Sequence, residues 1–264
     1  MITELDAKKL AHDYLEFKNI ELSLPARIKN APEYSSYNVF LEYNNIKKLY
    51  RKNKTADDAL ISYWLSTSRK EAESIYKSNN IPDFSLTKDD LLELSHLSVD
   101  TTKLKEIDSI LLKKGVILVY KESIESLKLD GATFLFADKI PVIAMSLRYS
   151  RLDYYWFTLM HELSHLILHF DNLKDNSIID NLDDESKSEI EEEANSLASN
   201  VMINRAYWRN CPLKYSETDS NLLEFAKKIN INPAIVAGRY MKETNNYRIF
   251  SNIVNKVNVR EVLL

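Results

Sequence analysis

Glycine is scarce in this chain of 264 residues: Gly115, Gly131 and Gly238 are all it has. Phosphate loops and dinucleotide fingerprints need several glycines within a few residues, so nucleotide-dependent activities are excluded. Cysteine is nearly absent too. Cys211 stands alone, which allows no disulfide within the chain and no thiolate-rich metal site. Positive charge is not in excess, with 35 Lys and Arg against 39 Asp and Glu and a formal net charge of -4. Direct nucleic-acid binding, which normally leaves a basic footprint, is therefore not expected. Long apolar runs are missing as well. The most apolar stretch, 154–170, carries Glu162 and three histidines and would make a poor membrane span. Residues 1–13 lack the apolar centre of a secretory signal. The expected address is the cytoplasm, without a membrane partner.

What remains is an ordinary globular composition, 45% hydrophobic and 28% charged, in a chain long enough to bury a real core. The first hundred residues read as helical. Ala7, Leu10, Ala11, Tyr14 and Leu15 form an apolar stripe at helical spacing, and 39–51 repeats the signal. A further helical stretch covers 56–78, with Leu60, Ile61, Trp64 and Leu65 as its buried face. Pro25, Pro32 and Pro82 fall in the breaks, and Thr87 with Asp89 and Asp90 marks a helix start. Another helix runs through Leu104, Ile107, Ile110 and Leu111. At Gly115 the pattern changes. A β-rich run at 116–120 is followed by 133–136 and 141–145, which read as an antiparallel hairpin. From Ser150 onward the chain is helical again. The expected class is α+β, mainly helical with a small antiparallel sheet next to the helix described below. The expected boundary lies near residue 100, with a helical region over 1–99 and a second domain over 100–264.

The chemistry is concentrated in 151–170. Ser150 can cap a helix there, with Asp153 at capping-box spacing. The helix is apolar almost all round and should be buried. His161 and His165 stand one turn apart on one face, the spacing that lets two imidazoles converge on one ion at about 2.0–2.1 Å. Glu162, beside the first of them, is placed to act as general base on a water. A lone buried histidine is usually a satisfied core residue. Two histidines at ligand spacing with a neighbouring carboxylate would be costly to bury without a cation. His169 continues the series by another four residues, but two turns from His161 it closes a tetrahedron poorly. A supporting role outside the ligand set is expected for it. A histidine ligand six residues after His165 is excluded, because that position is Asp171.

A third ligand should come from a second helix. The acidic run from Asp183 to Glu193 leads into an apolar stripe at Ile190, Ala194, Leu197 and Val201. At 100° per residue Glu192 points away from the stripe, while Glu191 and Glu193 flank it on opposite sides. Ala198 and Met202 extend the buried side towards Glu191, so periodicity favours Glu191 modestly over Glu193. Asn195 shares a face with Glu191 and could orient a metal-bound histidine through a hydrogen bond.

The segment Arg148-Tyr149-Ser150-Arg151-Leu152-Asp153-Tyr154-Tyr155-Trp156-Phe157-Thr158-Leu159-Met160-His161-Glu162-Leu163-Ser164-His165 resembles the core of ImmA/IrrE-type metallo-endopeptidases. These combine H-E-x-x-H with a later E-x-x-A-[N/D]. Glu191-Glu192-Glu193-Ala194-Asn195 matches the second motif and selects Glu191. The layout is similar to that of gluzincins generally. Gly131-Ala132-Thr133-Phe134 and Pro141-Val142-Ile143 look like the family's hairpin, and 232–240 looks like its C-terminal helix. Residues 49–76 resemble the helical region before the peptidase in antitoxin-like relatives of the HigA type. The likeness runs from about residue 45 to the C-terminus.

The resemblance implies one Zn²⁺ per chain held by His161, His165 and Glu191, with Glu162 as the catalytic residue. It places Arg239 or Tyr240 near the site as a stabiliser of the transition state. Many relatives carry an N-terminal helix-turn-helix, which 1–44 is not patterned to supply. A DNA-binding partner would then be a separate polypeptide. Relatives that cleave transcriptional repressors imply a regulatory endopeptidase with one or few protein substrates. The alternative is a non-catalytic, zinc-stapled binding module in a toxin–antitoxin-like or phage-related regulatory complex. The strand at 142–145 is expected to offer an open edge to an extended substrate.

Overall fold

A computed structural model describes residues 4–49, 56–125, 127–137, 139–174, 178–180 and 189–264. The basic cluster at 51–54 and the acidic residues at 183–188 lie outside the described residues. The chain divides into two compact units, Met1–Ser78 with Ser123–Lys128, and Asn79–Glu122 with Leu129–Leu264. Residue 100 falls within the second unit.

The first unit is helical: α1 (Glu4–Glu21), α2 (Ala26–Lys29), α3 (Ser36–Leu49) and α4 (Ala56–Ser78). Its core is aromatic, with the Phe17 ring 5.6 Å from that of Phe40 and 5.4 Å from that of Tyr43. Trp64, Leu65 and Leu60 are buried as the spacing in α4 predicts, while Ile61, expected on the same face, is half-buried. The stripe expected on α1 is corrected: Leu10, Tyr14 and Leu15 are exposed, and the inward face carries Asp13, Phe17 and Glu21. Glu21 turns inward because Lys18 and Tyr34 both donate to its carboxylate. Phe17 on the same side takes the core position.

The second unit opens with α5 (Lys88–His96), which starts where expected and is closed by a capping box. Thr87 Oγ1 accepts from the Asp90 N–H, and Asp90 accepts in return from the Thr87 N–H. Two 3₁₀ turns lead into α6 (Ile107–Leu112) and then β1 (Ile117–Tyr120). The hairpin forms from β2 (Gly131–Phe136) and β3 (Ile140–Met145), antiparallel with Phe136 opposite Ile140. β1 joins β3 in parallel, Ile117 opposite Val142, and β4 (Ile178–Asp180) joins β2 antiparallel. The sheet is therefore mixed, in the order β1-β3-β2-β4. This overturns the open edge expected at 142–145, because β3 is paired on both sides.

The long buried helix is α7 (Leu152–Leu168), packed against β2 and β3 on one side and against α8 (Glu189–Met202) on another. Its N-cap is Arg151, without a side-chain cap bond, and not Ser150. Asp153 instead takes the Arg151 guanidinium, Nε to Oδ1 at 3.0 Å and Nη2 to Oδ2 at 2.6 Å. Burial pushes its carboxyl pKa up despite that partner. The chain continues through α9 (Arg205–Arg209), α10 (Asp219–Lys228), α11 (Pro233–Thr244), α12 (Ser251–Val254) and α13 (Val259–Leu263). α11 packs on α7 at Gly238, where a Cβ would lie 2.2 Å from Asp153 Oδ2. Ala194 and Ala198, both wholly buried, let α8 approach α7 closely. No described helix is long and apolar enough to cross a membrane.

Candidate metal centre

α7 is buried over most of its circumference, so its polar residues have nowhere to go but inward. His161, Glu162 and His165 have no exposed surface. The two histidine rings meet edge to face, centroids 4.6 Å apart, with Nε2 atoms 3.0 Å from one another. Glu191 reaches across from the first turns of α8. Its Oε2 lies 3.2 Å from His161 Nε2 and its Oε1 lies 3.5 Å from His165 Nε2. Glu191 is 27% exposed, so the cluster meets solvent on its side.

These separations test whether the three residues suit a metal ion. Nitrogen and oxygen ligands about 2.0–2.2 Å from a tetrahedral zinc stand roughly 3.3–3.6 Å apart. The observed 3.0, 3.2 and 3.5 Å lie at or just below that span. Two imidazoles and one carboxylate are also a common donor set for Zn²⁺. The group could hold a metal ion.

Glu162 points from the same helix towards β2. Thr133 Oγ1 donates to its Oε2 at 2.6 Å. Gly131, two residues earlier on the same strand face, leaves room for the carboxylate. A Cβ at that position would lie 2.0 Å from Glu162 Oε1. A side chain there would displace the carboxylate, through close approach and not through backbone conformation. The ring of Phe157, one turn before His161, stacks on the imidazole at 6.2 Å, and Lys242 Nζ lies 4.8 Å from the Phe157 centroid.

Residues 115–240 match the family model described as IrrE N-terminal-like domain, Peptidase_M78. The region is an ImmA/IrrE-family metallopeptidase-like domain. No curated protein matches the chain. Members of this family are typically zinc-dependent, in keeping with the donor group His161, His165 and Glu191.

Within the ImmA/IrrE-like domain the remaining candidates fall in different places. His169 lies directly behind His165, with the two Nδ1 atoms 3.2 Å apart, and its Nε2 is 2.9 Å from Glu193 Oε2. Asn195 makes no described bond to either histidine, and its Oδ1 is buried without a hydrogen-bond partner. Arg239 is engaged away from the cluster. Its Nη1 donates to the carbonyls of Ser199 (3.2 Å) and Ile203 (2.9 Å) at the end of α8, its Nε donates to Glu243, and it stacks over Trp208. Tyr240 Oη lies 3.1 Å from the Leu213 carbonyl and donates to Glu217 at 2.7 Å, which lifts its pKa to about 12. Neither residue has a described contact with His161, His165 or Glu191.

Three contributors were not singled out from the sequence: Thr133, Gly131 as the cradle of Glu162, and Glu193 as the partner of His169. Scarcity of glycine was a usable signal for Gly131. Thr133 had none, since a threonine in a strand is unremarkable.

Proposed function

We propose that this chain is a zinc-dependent endopeptidase whose site is His161, His165 and Glu191 with Glu162 as its catalytic residue. We further propose that it is a regulatory protease acting on one or few intracellular proteins, such as a separately encoded helix-turn-helix repressor. The observation that carries the enzyme reading is the supported position of Glu162. A purely structural ion needs only its ligands, whereas here the neighbouring carboxylate is bonded by Thr133 and fitted against Gly131.

His161, His165 and Glu191 would hold Zn²⁺, which supplies Lewis acidity towards water and towards a peptide carbonyl. Glu162 performs the proton traffic. With Oε2 engaged by Thr133, Oε1 takes the proton of the attacking water and returns it to the leaving amine nitrogen. The apolar surround of α7 excludes bulk water and strengthens each electrostatic contact. The partly exposed side of Glu191 is the approach for a peptide.

One observation favours the stapled binding module instead: Glu162 has no solvent-exposed surface. N-terminal proteomics of cells carrying the wild type or Glu162→Gln separates the two. Loss of a specific cleavage product in the variant is expected. Identical N-termini in both, with zinc retained in both, would favour the module.

A further inference from the structure

His161, His165 and His169 repeat every four residues, so their rings line one face of α7 with successive centroids 4.6 and 5.3 Å apart. His165 in the middle uses both nitrogens. Nε2 faces His161 and Glu191, and Nδ1 meets His169 Nδ1 at 3.2 Å. His169 ends the helix, donating its own N–H to the His165 carbonyl at 2.8 Å, and its side chain is 7% exposed. Glu193 closes the chain from α8, two residues after Glu191. That offset of about 200° sends the two carboxylates to opposite flanks of the helix, one to the donor group and one to His169.

An ionised carboxylate only accepts, so the bond at 2.9 Å requires a proton on His169 Nε2. A neutral His169 then has a lone pair at Nδ1 and accepts from His165 Nδ1–H. His165 is left with its lone pair at Nε2, the atom that faces the donor group. We propose that His169 and Glu193 are positioning residues that fix the tautomer and ring orientation of His165 for metal binding. The proposal rests on the zinc reading above. It assigns to His169 and Glu193 the orienting task that the sequence suggested for Asn195.

The test is zinc affinity by competition with a chelator, with ¹⁵N NMR of the zinc-loaded protein as a second readout. His169→Ala should weaken zinc binding by about 10–100-fold, the range for loss of a partner behind a metal-bound histidine. His169→Asn, whose Oδ1 can accept from His165 Nδ1–H, should recover part of that loss. Glu193→Ala, at an exposed position that leaves the core intact, should weaken binding in the same direction and keeps the test open if His169→Ala folds poorly. In the wild type, the His165 Nδ1 proton should exchange slowly with solvent and do so faster in His169→Ala. Zinc affinity unchanged in both alanine variants would overturn the proposal, as would His169→Asn binding no better than His169→Ala. Wild-type affinity in His161→Ala would be a different failure, that of the donor assignment itself.

Discussion

The narrowest margin in the site is between Glu162 and the backbone of β2. Any side chain at 131 would occupy space that Glu162 Oε1 already fills, 2.0 Å from an added Cβ. Gly131→Ala should therefore displace the carboxylate by about an ångström without touching the donor group. Misplacement of that size costs on the order of 10²-fold in rate. Single-turnover cleavage of the substrate should fall accordingly while zinc content stays at the wild-type level. An alanine variant with full activity would mean that Glu162 is not held where the mechanism needs it. At this scale the sequence was most legible for His161, Glu162 and His165, because spacing on one helix is a local property. Glu191 needed the motif match, since periodicity left Glu193 close behind. Glu193 then proved to face His169 from the other flank of α8.

The helices that frame the site owe their registration to side chains that tie one helix end to another. Arg239 on α11 donates to the carbonyl of Ser199 in the last turn of α8 and to that of Ile203 just after it, and lies 4.4 Å over the Trp208 ring. Burial lowers its pKa, and the ion pair with Glu243 opposes that shift. Arg239→Ala should destabilise the fold by about 1.5–3 kcal/mol, the range for hydrogen bonds to a charged group. Arg239→Lys should recover only part, since it lacks the fork. Calorimetry checks the loss. A variant that unfolds like the wild type but has lost activity would return Arg239 to the reacting oxygen. Elements with strong local patterns were legible in the sequence: the extent of α4, the start of α5, and the β2–β3 hairpin. The parallel pairing of β1 with β3 was not, because it joins segments more than twenty residues apart that carry no signal of each other. The same blindness hid the placement of Arg239, whose partners lie 36 and 40 residues away. On α1 a genuine apolar stripe misled, because Phe17 and the anchored Glu21 decided which side faces inward.

Across the whole molecule, the donor group bridges α7 and α8 within the second unit, so metal binding is linked to the stability of that unit. Free zinc at a hundred times its dissociation constant should add about 2.7 kcal/mol to unfolding. That corresponds to roughly 5–10 °C in Tm for a domain of this size. Thermal scans with EDTA and with zinc should show that gap, and it should vanish in His161→Ala. The division at Ser78 and Asn79 further suggests that the transition carrying the zinc effect is that of residues 79–122 with 129–264. The central claim is that His161, His165 and Glu191 together bind one zinc ion and that Glu162 does not. Metal analysis of the purified wild type, Glu191→Ala and Glu162→Gln tests it most directly. About one zinc per chain is expected in the wild type and in Glu162→Gln, and almost none in Glu191→Ala. Full occupancy in Glu191→Ala, or an empty Glu162→Gln, would contradict it.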